Sequence, residues 1–246
     1  MFSIYVTGTD TGIGKTLASC TLLHALRGHG LRAAGMKPVA SGCERIDGVW
    51  KNADALALQA AGEASIAYAD INPFALEHPL APELAARDAG IEVALPPILD
   101  AHARLASRND AVVVEGVGGW AAPLSASLMQ ADLVRALRLP VVLVVGLRLG
   151  CLNHALLSAR AIVADGVHLA GWIASQVDPA MERVDDNLAM LRFTLALGGA
   201  VVVPYLISRF VFSDRAIGFP WRAGRRWGRL QWTWLVAVLV LGWLIL

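Results

Sequence analysis

Gly8-Thr9-Asp10-Thr11-Gly12-Ile13-Gly14-Lys15-Thr16 follows a short apolar run, Ser3 to Thr7, and opens an Ala/Leu-rich segment of helical period, Lys15 to Arg27. A strand, a glycine-rich loop and a helix in that order are the context a phosphate-binding loop needs. Glycine lets the backbone curl so that its N–H groups point at phosphate oxygens, and the helix N-terminus adds a favourable dipole. Lys15 would carry charge to the β- and γ-phosphates, and the Thr16 hydroxyl would ligate Mg²⁺. Five residues separate Gly8 from Gly14, one more than in the usual G-x-x-x-x-G-K-[ST] spacing. The plainer alternative is a glycine-rich strand-to-helix turn with a surface lysine.

Working outward, apolar runs rich in β-branched residues alternate with longer segments of helical period, the pattern of β-α units around a parallel sheet. Strands are predicted over Ser3 to Thr7, Ala33 to Pro38, Ala111 to Glu115, Val141 to Gly146 and Leu169 to Ala174. Helices are predicted over Lys15 to Arg27, Ala53 to Ala61, Pro97 to Ser107, Ala131 to Leu137, Asn153 to Asp165 and Met181 to Arg192. The fold class is α/β, a doubly wound and mostly parallel sheet. Glu115 ends the run Ala-Val-Val-Val at the carboxyl end of a buried strand, where ligands of open α/β sheets collect.

Charge and hydropathy divide the chain. Through Arg192 there are 15 Lys and Arg against 19 Asp and Glu, and beyond it six Arg against Asp214 alone. Five of the eight Trp (Trp221, Trp227, Trp232, Trp234 and Trp243) fall in the same late segment. Residues 1–206 are therefore read as one domain and 207–246 as a divergent Arg/Trp-rich and hydrophobic tail. Three dispersed cysteines, Cys20, Cys43 and Cys151, suggest neither a disulfide framework nor a zinc site and fit a reducing compartment. The N-terminus has no signal-peptide pattern, so the body is expected in the cytoplasm. Leu230 to Leu246 carries only Gln231 and Thr233 as polar residues, and Arg222, Arg225, Arg226 and Arg229 precede it. This is the length and flank of a minimal membrane anchor, or else a hydrophobic helix, a dimer contact, or the product of a frameshift or fusion near Phe193.

The long loop, read as Val6-Thr7-Gly8-Thr9-Asp10-Thr11 with Gly14-Lys15-Thr16, resembles the opening of the dethiobiotin synthetases. Further segments similar to that family follow in order: Gly35-Met36-Lys37-Pro38-Val39-Ala40-Ser41-Gly42, Asn52-Ala53-Asp54-Ala55-Leu56, Val114-Glu115-Gly116-Val117-Gly118-Gly119-Trp120 and Gly150-Cys151-Leu152-Asn153-His154-Ala155. They span about the first 180 residues. The resemblance implies a P-loop NTPase-like enzyme that closes a cyclic urea. Diaminopelargonate, CO₂ and ATP would give dethiobiotin, ADP and phosphate through a carbamate and a carbamic-phosphoric anhydride, with Mg²⁺ as cofactor.

Such chemistry rests on positioning and charge neutralisation, so cations and oxygen ligands matter more than a nucleophile. The resemblance implies Lys37 and Lys15 as the catalytic cations. Lys37 would stabilise the carbamate and the transferring phosphoryl group; on its own it could be a snorkelling lysine at a strand end. Thr16, Asp54 and Glu115 would hold the metal, although Asp54 could instead serve as a capping or first-turn acid. The implied ATP contacts are Gly12, Ile13, Gly14, Lys15, Thr16, Leu17, Asp54, Glu115, Gly116, Val117 and Gly118. Thr11, Ser41, Gly150 and Asn153 would contact the diamine, the last two by reaching a substrate held mainly by the other subunit of a homodimer. Ser41 could also be a turn residue and Asn153 an ordinary N-cap.

Departures from the family cluster at the base end. Ser175 and Gln176 stand where an Asn-Asp or similar pair would follow Leu169 to Ala174, and Gly12 replaces an acid. Val203-Pro204-Tyr205-Leu206 could supply a base-contacting turn through Pro204, Tyr205 and Leu206, but no acid follows until Asp214. The expected partners are the diamine, ATP, CO₂ and a second copy of the chain, with membrane contact through the tail and no nucleic acid. A membrane-attached P-loop switch of the partitioning type, or an inactive member with a replaced C-terminus, are the competing readings.

Overall fold

The computed structural model describes residues 2–63, 65–197 and 207–208. In chain order the elements are β1 (Phe2–Gly8), α1 (Lys15–Gly28), β2 (Ala33–Met36), β3 (Val39–Ala40), β4 (Glu44–Ile46), β5 (Val49–Lys51), α2 (Ala53–Ala61) and α3 (Tyr68–Ile71). They continue with β6 (Phe74–Ala75), α4 (Pro82–Asp88), α5 (Leu95–Arg108), β7 (Ala111–Glu115), β8 (Pro123–Ser125), β9 (Leu128–Met129) and α6 (Gln130–Leu137). Last come β10 (Val141–Leu147), α7 (Cys151–Ala164), β11 (Leu169–Gln176), α8 (Val184–Leu197) and β12 (Ile207–Ser208).

Six strands form one parallel sheet in the order β12-β11-β10-β1-β7-β2. The chain leaves β1 for the far edge at β2, returns beside β1 at β7, then crosses to its other side at β10. The carboxyl end of β1 is therefore the switch point where a doubly wound sheet opens a crevice.

Strand alternation sends successive side chains to opposite faces. Ile4, Val6, Val113 and Val144 pack with Leu22 and Leu23 of α1 and Leu58 of α2. Tyr5, Val112, Val114 and Leu143 pack on the other face with Ile98 of α5, Leu133 of α6 and Ile162 of α7. Each such fully buried aliphatic side chain contributes about 1.5–3 kcal/mol. Burial on both faces explains why these strands read as nearly continuous apolar runs.

The predicted strands and helices are present, with shifted ends that matter for the site. The second strand stops at Met36, short of the expected Pro38. Proline has no N–H for a ladder, and Lys37 N–H donates to Ile71 O at 2.7 Å instead. Ser175 and Gln176 lie within β11, paired with Gly146 and Leu147, rather than after it. Helix α7 starts at Cys151 and is N-capped by Gly150 at φ 93°, so Asn153 is inside the first turn and is not the cap. Helix α8 starts later than Met181 and runs past Arg192 to Leu197. The β3–β6 pair, the hairpins β4–β5 and β8–β9, and helices α3 and α4 had no counterpart in the pattern reading. Ile207 and Ser208, just past the 1–206 division, join the main sheet beside β11. Pro204, Tyr205, Leu206, Asp214 and the expected anchor at 230–246 lie outside the described residues.

Candidate functional site

The same alternation that builds the core aims the site. On β7, Ala111 and Val113 face α1, and Glu115, two residues on, shares their side at the strand's end. Its Oε1 accepts from the Thr16 hydroxyl at 2.9 Å and from Lys37 Nζ at 2.7 Å. Lys37 continues the parity of Ala33 and Gly35 on β2, the side on which a Cβ at Gly35 would meet Leu58 of α2 at 2.7 Å. Its Nζ donates to Asp54 Oδ2 at 3.0 Å and to Gly116 O at 3.1 Å as well. Asp54 sits in the first turn of α2 without being its cap. That role belongs to Asn52, whose Oδ1 accepts from Asp54 N at 3.0 Å and Ala55 N at 3.4 Å.

Lys37 is 3% exposed and Glu115 fully buried, whereas the Asp54 side chain is 42% exposed. A buried ammonium is tolerable only when paired and hydrogen-bonded. Burial alone would depress the Lys37 pKa, but Glu115 and Asp54 outweigh it and hold the amine above its ordinary range, so it is a fixed cation. Burial acts against Asp54 ionising too, yet Lys37 and the Thr16 hydroxyl keep its carboxyl below the usual range. Lys15 lies close by and is treated differently. Its Nζ folds back onto Asp10 O at 2.8 Å, and burial, seconded by the charge of Lys37, lowers its pKa to about 8.

The phosphate loop curls through Gly12 at φ 72° and Gly14 at φ 86°, a region that favours glycine. Facing it is the loop after β7. A Cβ at Gly116 would lie 2.5 Å from Gln130 Oε1 and 2.7 Å from Tyr5 Oη, so a side chain there has no room. Gln130, fully buried, fastens this loop: Oε1 accepts from Val117 N at 2.8 Å, and Nε2 donates to Gly119 O at 2.9 Å and Thr7 Oγ1 at 3.2 Å. Gly118 approaches Thr11, whose Oγ1 would be 3.8 Å from a Cβ there.

At the other end of the loop Ser175 Oγ would be 2.5 Å from a Cβ at Gly14. Gly14, Leu17, Thr21, Ile173 and Ser175 line a solvent-open hollow along α1, and Ile13 of the phosphate loop is buried. Gln176 is half-buried at the strand end. Ser41 is half-buried and joins the cluster through its carbonyl, which accepts from Asn52 Nδ2 at 3.2 Å. Gly150 and Asn153 are exposed. Arg148, just before them, pairs with Asp10 of the phosphate loop. Gln130, Tyr68, Asn72 and Arg148 were not among the expected site residues. A glutamine at a helix start or a tyrosine and asparagine four apart carries no local signal of burial.

Glu115 Oε2 is buried without a hydrogen-bond partner among the described residues. With the Thr16 hydroxyl and the Asp54 carboxylate it makes an oxygen-only donor set that fits a hard cation. No group of three or more His, Cys, Asp or Glu that could hold a metal ion occurs among the described residues. Two carboxylates and a hydroxyl suit Mg²⁺, which usually completes its shell with phosphate oxygens and water rather than with a full protein cage.

A switch-point strand ending in a Gly-Lys-Thr loop, with a carboxylate on the adjacent strand end touching the loop threonine, defines a P-loop nucleotide-binding protein. The AAA domain family matches residues 3–207. ATP-dependent dethiobiotin synthetase BioD of Xanthomonas oryzae pv. oryzae strain PXO99A is 66% identical over 195 residues, 79% of this chain and 87% of that protein. The protein of the same name from Xylella fastidiosa strain 9a5c is 62% identical over 195 residues, covering 79% and 86%. Among solved structures, the MinC:MinD cell division protein complex of Aquifex aeolicus aligns at TM-score 0.47 and 11% identity, covering 84% of this chain and 81% of that one. The chain belongs to the dethiobiotin synthetase family.

Proposed function

We propose that the protein carboxylates diaminopelargonate with CO₂ and closes the ring at the expense of ATP, giving dethiobiotin, ADP and phosphate. The observation that carries this reading is Lys37, a buried cation within hydrogen-bond reach of Asp54, Glu115 and Gly116 O at the mouth of the phosphate loop. One amine of the diamine adds to CO₂, losing a proton, and the carbamate takes the γ-phosphoryl group. The neighbouring amine then attacks the activated carbon and phosphate leaves. Every step builds or moves negative charge, which a preorganised ammonium stabilises in a dry site.

The loop N–H groups of Gly12 to Thr16 hold the triphosphate, and Lys15 exchanges Asp10 O for phosphate oxygens. Thr16, Asp54 and Glu115 would hold Mg²⁺, which when bound neutralises phosphate charge. Gly116 to Gly118 lets backbone come close to the reacting groups, and Thr11 and Ser41 orient the diamine. Leu17 and Ser175 border the hollow assigned to the base, and Gln176 follows Ser175 at the end of β11. Pro204, Tyr205 and Leu206 remain candidates for its far side. Gly150 and Asn153, projecting beside Leu149, which is 95% exposed, support a homodimer in which each copy reaches the other's substrate. The three unpaired cysteines support a cytoplasmic location for the body. Among the described residues no helix is long and apolar enough to cross a membrane; carbonate extraction of membranes would test contact through 207–246.

A nucleotide switch has use for the loop and the metal oxygens but none for a buried lysine beside Ser41. Steady-state ADP release separates the two readings. Ring closure predicts that ADP forms only when diamine and bicarbonate are both present; release that ignores both would refute it.

A further inference from the structure

Lys37 is held by more than its side chain. Its N–H donates to Ile71 O at 2.7 Å, and its C=O accepts from Asn72 Nδ2, also at 2.7 Å. The strand ladder ends at Met36, so both backbone polar groups of the central lysine are satisfied by the segment at the end of α3. Asn72, 3% exposed, also donates from Nδ2 to Phe74 O at 3.2 Å. Its Oδ1 accepts from the Tyr68 hydroxyl at 3.0 Å. That same hydroxyl accepts from Asn52 N–H at 2.7 Å. Asn52 is the residue that caps α2, so fixing Asp54, and that holds the Ser41 carbonyl.

We propose that Tyr68 and Asn72 are positioning residues. One hydrogen-bonded chain, Asn52 N–H to Tyr68 Oη to Asn72 to Lys37 O, sets the separation of the lysine from Asp54 and Ser41. The geometry is over-determined where it need not be for folding alone. The Tyr68 hydroxyl takes one bond and gives one, and each leads to a different segment of the candidate site. A lysine on a four-carbon stem is otherwise adaptable, and an error of about 1 Å in placing a reacting group can cost a hundredfold in rate. This inference rests on the ring-closure reading for the identity of the reaction, but not for the geometry.

The test is a cycle of Tyr68→Phe, Asn72→Ser and the double variant, with kcat, the KM for each substrate, MgATP affinity and melting temperature measured for all. Positioning predicts that kcat falls by about tenfold to a hundredfold in each single variant. MgATP affinity should stay within about twofold, and the double variant should be little worse than the poorer single, because both break one chain. Unchanged kcat with a lowered melting temperature would overturn the proposal, as would additive losses shared equally with nucleotide affinity. If Tyr68→Phe does not fold, Asn72→Ser alone carries the kcat prediction. Wild-type protein that forms no urea product would defeat the ring-closure reading separately. Positioning would then be decided by the crystal structure of a folding variant, where Lys37 Nζ still 3.0 Å from Asp54 and 2.7 Å from Glu115 contradicts it.

Discussion

Lys37 and Lys15 are two buried lysines whose surroundings divide their work. Lys37 is locked as a cation by two carboxylates. Replacing it by alanine should lower product formation by about a hundredfold to a thousandfold while MgATP affinity stays within a few-fold, read by turnover and by calorimetry. Loss of nucleotide binding alone would contradict its assigned place. Lys15, with a pKa of about 8, is largely neutral above that pH before nucleotide arrives. Phosphate favours its charged form, so ATP binding at pH 9 should take up a proton and weaken as pH rises; calorimetry in buffers of different ionisation enthalpy measures the uptake. The stability effect has the opposite sign, rising with pH. The folded pKa is below the unfolded one, so from about pH 8 to the ordinary lysine range the unfolded chain binds more protons and this group's cost to folding is relieved. Lys15 and Thr16 could be read from the motif, and Glu115 from its strand. No local pattern encodes the meeting of Lys37 with Glu115, 78 residues apart; only the family resemblance brings Asp54 and Glu115 together with Thr16.

At the scale of elements, alternation decides which strand-end residues meet. A slip of one residue in β7 would turn Glu115 away from Thr16 and Lys37. The strands were legible because burial on both faces leaves unbroken apolar runs, and the helices because their period is 3.6. The short pieces were not: β3 and β6 have two residues each, too few for a period, and exist because the chain after Lys37 lies against the segment after Asn72. Gly116 and Gln130 give the element-level test. Gly116→Ala drives a methyl group into Gln130 and Tyr5 and should destabilise by about 1–3 kcal/mol. Gln130→Leu leaves the Val117 N–H and Gly119 carbonyl without their partner and should cost about 1–3 kcal/mol. Urea denaturation of the two variants checks both, and in each the diamine KM should rise as the loop shifts.

For the whole molecule, the six-stranded sheet brings loops from β1, β2, β7 and β11 to one edge, and there the base hollow, the phosphate loop and the carboxylate cluster lie in succession. Departures from the family resemblance fall mostly at one end of that row, near Ser175 and Gln176; in the phosphate loop only Gly12 departs, and Gly14-Lys15-Thr16 is kept. Leu149, on the loop into α7, and Asn153, in the first turn of that helix, are both exposed. Sedimentation should find a species of twice the 26.1 kDa chain mass. Asn153→Ala should raise the diamine KM without altering ATP affinity; a monomer with full activity would contradict the shared site. The central claim is that the cluster around Lys37 closes a urea ring. Purified protein given ATP, Mg²⁺, diaminopelargonate and ¹³C-bicarbonate tests it most directly, by NMR of the product. The account predicts acid-stable label in a cyclic urea carbonyl, formed with one ADP per ring and absent with Lys37→Ala. ATP consumed with no label in a ring would contradict it.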